Sequence, residues 1–152
     1  MKIIIDADAC PVGAKELLFR VSKRCKIQII LVANQYMRFP ESELISLEKV
    51  PAGADEADDH IVIIANCGDI VITSDIPLAS RVIKKSVVVL DPRGVLLTEG
   101  NIGPRLAMRN LMDNLRSEGL NTGGPGVYGP KEKQAFANQL DKLINTMVDS
   151  GS

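Results

Sequence analysis

Acidic side chains follow three short apolar segments of this 152-residue chain. Asp6 and Asp8 come directly after the isoleucines of KIIIDADACP, Asp75 follows IVITS, and Asp91 follows VVVL. Carboxylates with no His or Cys among them are the ligands that Mg²⁺ and Mn²⁺ prefer. Such ions, held by clustered carboxylates, commonly serve phosphoryl chemistry by activating a water molecule. The pattern therefore indicates a divalent-metal site built from oxygen ligands.

A second group of acids, Asp55, Asp58 and Asp59, lies in the segment GADEADDHIV. At about 100° per residue, these three share one side of a helix, while Ile61 and Ile64 lie on another. Acids also favour the first turn of a helix, where the dipole is positive, so one or two of them need no further role. The spacing leaves open which of the three would face the other acids.

Each acid also has a simpler explanation as a local structural residue. Asp8 and Asp75 stand shortly before predicted helices and could cap them. Asp91 opens DPRG, where Asp is a common first residue of a turn. Asp6 is harder to explain in this way, because a carboxylate at the end of a buried strand needs hydrogen bonds, a cation or a raised pKa. Taken together, the acids favour a shared site.

The segments that carry these acids predict an α/β fold. Continuous β-branched runs are typical of strands covered on both faces. They lie at 2–5, 27–33, 70–73 and 87–90, with a further short strand at 46–50. Helices are predicted over 11–24, 55–66 and 77–85. This alternation predicts a Rossmann-like parallel sheet flanked by helices. Because ligands bind beyond the carboxyl ends of parallel strands, we expect the acids to meet at that edge.

The C-terminal portion is predicted to be mainly helical. The turn DPRG leads into a hairpin strand at 95–98, and helices follow at 102–118 and 131–148. Between these helices, residues 119–130 (GLNTGGPGVYGP) contain five Gly and two Pro. We expect this segment to be a mobile loop or a lid.

Length and composition are those of one globular domain, expected over 1–148, with a frayed tail at 149–152. The 18 Lys and Arg nearly balance the 19 Asp and Glu, so any site for a polyanion must be local. The three cysteines form no CxxC or Cys/His cluster, and no leader or membrane-length apolar run is visible. We therefore expect a cytoplasmic protein without a membrane partner.

The residues that could hold RNA are few. Arg105, Arg109 and Arg116 recur on one face of the predicted helix and could clamp phosphates, although such faces are usually only solvated. Ser74, next to Asp75, is a further predicted substrate-binding residue. The chain has two Tyr, three Phe and no Trp, so stacking platforms are scarce and sequence-specific reading of RNA is disfavoured.

The blocks IIIDADACPV, GADEADDHIV, DIVITSDIPLA and FANQLDKLI resemble the bacterial YaiI/YqxD family over essentially the whole chain. The first three blocks are also similar to the PIN/NYN nuclease superfamily, whose acids follow the first strand, open a central helix and follow the next strand. This resemblance implies a PIN-like fold and Mg²⁺- or Mn²⁺-dependent cleavage of RNA. It implies Asp6, Asp55 and Asp75 as catalytic metal ligands, with Asp8 and Asp59 as the fourth and fifth.

Two other interpretations compete with the nuclease. Three isoleucines followed by DxD resemble the first motif of haloacid-dehalogenase-type phosphatases, in which Asp6 would be the nucleophile and Asp8 the general acid. Lys84 or Lys85 would supply the lysine of that family, but its acidic pair follows the lysine, whereas DD at 58–59 precedes it. The other interpretation is a non-catalytic module that binds metal or RNA.

Overall fold

The computed structural model of the chain describes residues 1–53, 55–104 and 128–151. Six strands form one sheet in the order β3-β2-β1-β4-β5-β6, parallel except for the antiparallel β5–β6 pair. The strands are β1 (Lys2–Asp6), β2 (Gln28–Ala33), β3 (Ile45–Lys49), β4 (Ile70–Ile72), β5 (Val88–Leu90) and β6 (Leu96–Leu97). The helices are α1 (Val12–Cys25), α2 (Glu56–Ile64), α3 (Ile76–Ile83) and α4 (Pro130–Gly151). Residues 99–104 are also helical.

The apolar residues of the strands are buried on both faces of the sheet. Along β1, Ile3 and Ile5 face one layer, which Leu18 of α1 and Phe136 of α4 complete. Ile4 faces the opposite layer, which is built by α2 and α3. Because side chains alternate along a strand, a continuous apolar run is what a sheet covered on both sides requires.

The strand order reverses between β1 and β4. The chain places β2 and β3 on one side of β1 and then crosses back to place β4 on its other side. Ile5 of β1 is paired with Leu31 of β2 on one side and with Ile72 of β4 on the other. Asp6 and Thr73 are therefore the next residues along two adjacent parallel strands. This reversal creates a crevice at the carboxyl edge, where α1, α2 and α3 begin, and such crevices are where open parallel sheets bind ligands.

The predicted strands are confirmed, including the short strand expected at 46–50 and the hairpin that follows DPRG. The helix predicted at 102–118 lies within the described residues only as far as 104. Three predicted substrate-binding residues lie outside the described residues: Arg105, Arg109 and Arg116. Residues 119–127 of the Gly-rich loop lie outside them too. Helix α4 extends to Gly151.

A buried ion pair holds the amino edge of the sheet. The Lys2 Nζ lies 2.6 Å from Asp69 Oδ2, and the backbone N–H groups of Lys2 and Asn66 also donate to this carboxylate. Asp69 is thus a fully partnered acid that ties the start of β1 to the start of β4. No helix in the described part of the chain is long and apolar enough to cross a membrane.

We expect Gly94→Ala to be more destabilising than Gly68→Ala. Both glycines have positive φ, +92° and +90°, which costs an alanine about 1–2 kcal/mol. A Cβ at Gly94 would also lie 2.6 Å from the carbonyl carbon of Ala135 in α4, whereas nothing lies within 4 Å of one at Gly68. This clash adds about 1–3 kcal/mol. Urea unfolding measures the free energy of unfolding of each variant. Equal losses of this free energy in Gly94→Ala and Gly68→Ala would contradict the contact between the hairpin turn and α4.

Candidate functional site

Asp6 ends β1 at the crevice, with 9% of its surface exposed. The Thr73 hydroxyl donates a 3.0 Å hydrogen bond to Asp6 Oδ2. The same hydroxyl oxygen accepts a 3.0 Å hydrogen bond from the backbone N–H of Asp75. Thr73 is itself buried, and it therefore links the acid of β1 to the acid that follows β4.

Burial raises the pKa of Asp6 above its ordinary value, and the hydrogen bond from Thr73 partly opposes this change. The negative charges of Asp75 and Asp8 raise the pKa further, in that order of size. Asp6 is thus a carboxylate whose ionised form is disfavoured both by desolvation and by its acidic neighbours.

Helix α2 adds Asp58 to this site. Burial raises the pKa of Asp58 to about 6, and the charges of Asp75, Asp6 and Asp55 contribute in that order, while Arg81 opposes them. The three acids that influence one another, Asp6, Asp58 and Asp75, are called the carboxylate cluster below. They come from β1, from α2 and from the connection between β4 and α3.

The other two acids at the start of α2, Asp55 and Asp59, are exposed. Asp59 is exposed and forms an ion pair with Arg81, at 2.8 Å between Oδ1 and Nη1. Asp55 is exposed and stands at the helix start without a side-chain capping hydrogen bond. Among the three acids that the sequence left open, Asp58 is the half-buried one, and the charges of Asp75 and Asp6 both raise its pKa.

Of the two acids that could cap helices, Asp75 caps its helix and Asp8 does not. Asp75 does cap α3, since its Oδ1 accepts the backbone N–H of Leu78 at 3.0 Å. Asp8 does not cap α1, which begins after Pro11 without a side-chain cap. Asp8 Oδ2 instead accepts the backbone N–H of Asn34 at 2.6 Å, at the end of β2.

Ser74, the described member of the predicted substrate-binding set, lines a cavity of about 220 Å³ beside the cluster. Asp91, Arg93 and Tyr128 line it too, with alanine and proline side chains. Asp91 forms the predicted turn, because its Oδ1 accepts the backbone N–H of Arg93 at 2.6 Å. Tyr128 is fixed by a 2.8 Å hydrogen bond from its hydroxyl to the carbonyl of Pro92.

The donor chemistry of the carboxylate cluster fits a hard divalent cation, because every group in it is a carboxylate. In the described ranges, the side chains of His, Cys, Asp and Glu nowhere form a group of three or more that could hold a metal ion. Two features nevertheless favour a cation here. The pKa of both Asp6 and Asp58 is raised first by burial and then by neighbouring negative charge, and a cation would offset that charge. The buried Asn34 Oδ1 also accepts no hydrogen bond from the described residues.

Three other side chains with possible chemical roles, those of Lys85, Cys10 and His60, are not part of the carboxylate cluster. Lys85 donates to the carbonyl of Val62, at the far end of α3 from Asp75. Burial raises the pKa of the Cys10 thiol to about 12, so it is not a reactive thiolate. His60, the one histidine of the sequence, lies 3.2 Å from a carboxylate oxygen of Glu48.

Comparison with known proteins finds a family model, described as Uncharacterized BCR, YaiI/YqxD family, that matches residues 4–146. The chain is 56% identical over 144 residues to a UPF0178 protein of Shewanella halifaxensis, covering 95% of each. It is 53% identical over 149 residues to a UPF0178 protein of Maridesulfovibrio salexigens, covering 98% of this chain and 99% of that one. A UPF0178 protein of Cupriavidus necator is 50% identical over 152 residues, covering 100% and 99%. No solved structure matches the chain.

We expect Thr73→Val to be more harmful than Thr73→Ser. Valine keeps the shape but leaves the buried Asp6 carboxylate without its donor, which costs about 1–3 kcal/mol and raises the Asp6 pKa further. Serine keeps the hydroxyl and loses a methyl group. Unfolding in urea and a carboxyl ¹³C NMR titration of Asp6 measure the two effects. Identical Asp6 titrations in both variants would contradict the bridging role of Thr73.

Asp58→Asn should stabilise the protein at neutral pH. Between about pH 4 and pH 6 the unfolded chain releases the Asp58 proton before the folded chain does, so wild-type stability falls as pH rises through this window. Asparagine removes this loss. The melting temperature of Asp58→Asn should therefore exceed that of wild type at pH 7 and match it more closely at pH 4.

Asp59→Asn is the matched control for this pH dependence. Its carboxylate is 57% exposed and paired with Arg81, and an exposed ion pair is worth about 1 kcal/mol or less. This variant should be slightly less stable than wild type at pH 7. If Asp59→Asn raised the melting temperature at pH 7 as much as Asp58→Asn does, the assignment of Asp58 rather than Asp59 to the carboxylate cluster would be wrong.

Proposed function

The chain belongs to the YaiI/YqxD family, and from the site at its sheet edge we propose that it is a Mg²⁺- or Mn²⁺-dependent nuclease that hydrolyses phosphodiester bonds of RNA in the cytoplasm. The observation that carries the proposal is the Thr73 hydroxyl that links Asp6 to Asp75 at the crevice where the strand order reverses, with the half-buried Asp58 of α2 near enough for both charges to raise its pKa. The similarity of the acidic blocks to the PIN/NYN nucleases supports the same conclusion.

Asp6, Asp58 and Asp75 are the residues that would hold the ion, with Asp8 next to them. When bound, a divalent cation lowers the pKa of a water molecule and stabilises negative charge on the leaving oxygen. Thr73 positions Asp6 through its hydroxyl, and the cap on α3 positions Asp75 through Oδ1. The resemblance implies Asp55 as the helical ligand, with Asp59 as a further one, but the half-burial of Asp58 and its raised pKa favour Asp58 in that role.

The substrate's phosphate would approach the crevice beside Ser74, whose hydroxyl can donate to a phosphate oxygen. The N-terminal ends of α1, α2 and α3 also lie at this edge, and their dipoles favour a negative group. The cavity lined by Ser74, Arg93 and Tyr128 continues the crevice on one side. The clamp formed by Arg105, Arg109 and Arg116 stays a prediction.

The positions of Lys84 and Lys85 argue against the phosphatase interpretation, which needs a lysine beside Asp6. Helix α3 starts at the crevice and runs away from it for eight residues, or about 12 Å. Lys84 and Lys85 follow its end, and Lys85 is engaged with the carbonyl of Val62. The backbone of both lysines therefore lies at the opposite end of α3 from the crevice.

We expect the purified protein to cleave single-stranded RNA when Mn²⁺ or Mg²⁺ is present and to be inactive in EDTA. Asp6→Asn should lower the rate by at least about 100-fold, because it removes a metal ligand. Asp58→Asn should cause a comparable loss, whereas Asp59→Asn should keep most of the activity. Gel analysis of end-labelled RNA measures the rates.

Three outcomes would count against this function. Cleavage that survives in Asp6→Asn would identify a contaminating nuclease. Mn²⁺ binding that depends on Asp6, with no cleavage of any RNA or DNA, would identify a binding module. Phosphate release from small monoesters, with a beryllofluoride adduct on Asp6, would identify the phosphatase.

A further inference from the structure

The connection between β2 and β3 starts beside the carboxylate cluster. β2 ends at Ala33, and the backbone N–H of Asn34 donates to Asp8 at 2.6 Å. Asp8 is one of the two acids whose charge raises the pKa of Asp6. The first residues of this connection are therefore held against the proposed catalytic site.

Tyr36, two residues further along, presents its ring to solvent with 74% of its surface exposed. Two residues span at most about 7 Å, so the backbone of Tyr36 stays within about that distance of Asn34, which is bonded to Asp8. Its centroid lies 6.5 Å from that of Phe39, with the planes tilted by 55°. Phe39 and Met37 pack against the core on the α1 face. The backbone under Tyr36 is thus anchored on both sides while the ring itself stays accessible.

Two cationic residues lie in this segment or against it. Lys15 of α1 places its Nζ 3.7 Å from the sulfur of Met37, and Arg38 is exposed. The acids of the connection, Glu41 and Glu43, come later, as the chain approaches the start of β3 at the opposite edge of the sheet. An exposed aromatic ring in a segment that also carries cationic residues is suited to a base and its neighbouring phosphates.

We infer that Tyr36 stacks on one unpaired base of a single-stranded RNA, with Lys15 and Arg38 facing the adjoining phosphates. This inference rests on the proposed nuclease function, and it specifies the substrate as unpaired RNA. Stacking accepts any base, because every base has a flat π face. A duplex keeps its bases stacked on one another, so it cannot use this platform.

Tyr36→Trp provides a direct test, because the chain contains no other Trp. A single-stranded RNA oligonucleotide should quench the indole fluorescence in a saturable way, and the same strand annealed into a duplex should not. The signal is recorded in Mn²⁺ immediately after rapid mixing, before turnover, and again in EDTA. Ile63→Trp is the matched control, since Ile63 is also 74% exposed but lies near the far end of α2. Its fluorescence should stay unchanged.

The affinity of two further variants completes the test. Tyr36→Phe should bind single-stranded RNA like wild type, and Tyr36→Ala at least about 5-fold more weakly. The inference is overturned by absence of quenching in both buffers, by equal quenching in Ile63→Trp, or by wild-type affinity in Tyr36→Ala. Indole emission that changes with protein concentration alone would assign the ring to self-association instead. Quenching without any RNA cleavage by wild type would leave this platform standing and remove the nuclease function.

Discussion

The hydroxyl of Thr73 is the contact on which the arrangement of the site depends. It donates to Asp6 and accepts from the backbone of Asp75, so one buried side chain fixes the acids of two adjacent strands relative to each other. This contact exists because β1 and β4 are parallel neighbours in a register that pairs Ile5 with Ile72. The reversal of strand order at this point then leaves a crevice open above both acids.

The charge of a buried acid is compensated at the amino edge of the sheet but not at the carboxyl edge. At the amino edge, Asp69 receives an ammonium group and two backbone N–H groups, so its charge is fully compensated within the protein. At the carboxyl edge, Asp6 has one neutral donor and acidic neighbours, and Asp58 adds a further carboxylate. Folding thus concentrates negative charge where it is costly, which is typical of functional sites rather than of structural ion pairs. A divalent cation is the simplest group that would offset this charge.

Much of this arrangement follows from the sequence, because apolar runs and strand-end acids are local patterns. The strands and the edge shared by Asp6 and Asp75 were predictable on that basis. The choice of Asp58 over Asp59 was not, since it depends on the rotation of α2 and on Arg81 from α3. Likewise, Asp8 resembles a helix cap in sequence, but its partner is a backbone N–H on the next strand, 26 residues away. Contacts between distant elements, and the exposure of Tyr36, become visible only in the folded chain.

The central claim is that Asp6, Asp58 and Asp75 share one divalent cation. Anomalous diffraction from a crystal of the protein soaked in Mn²⁺ tests it most directly, because it locates the ion without reference to activity. The account predicts a strong peak bonded to a carboxylate oxygen of Asp6 and to at least one oxygen of Asp58 or Asp75. Peaks confined to exposed acids, with none at Asp6, would contradict it.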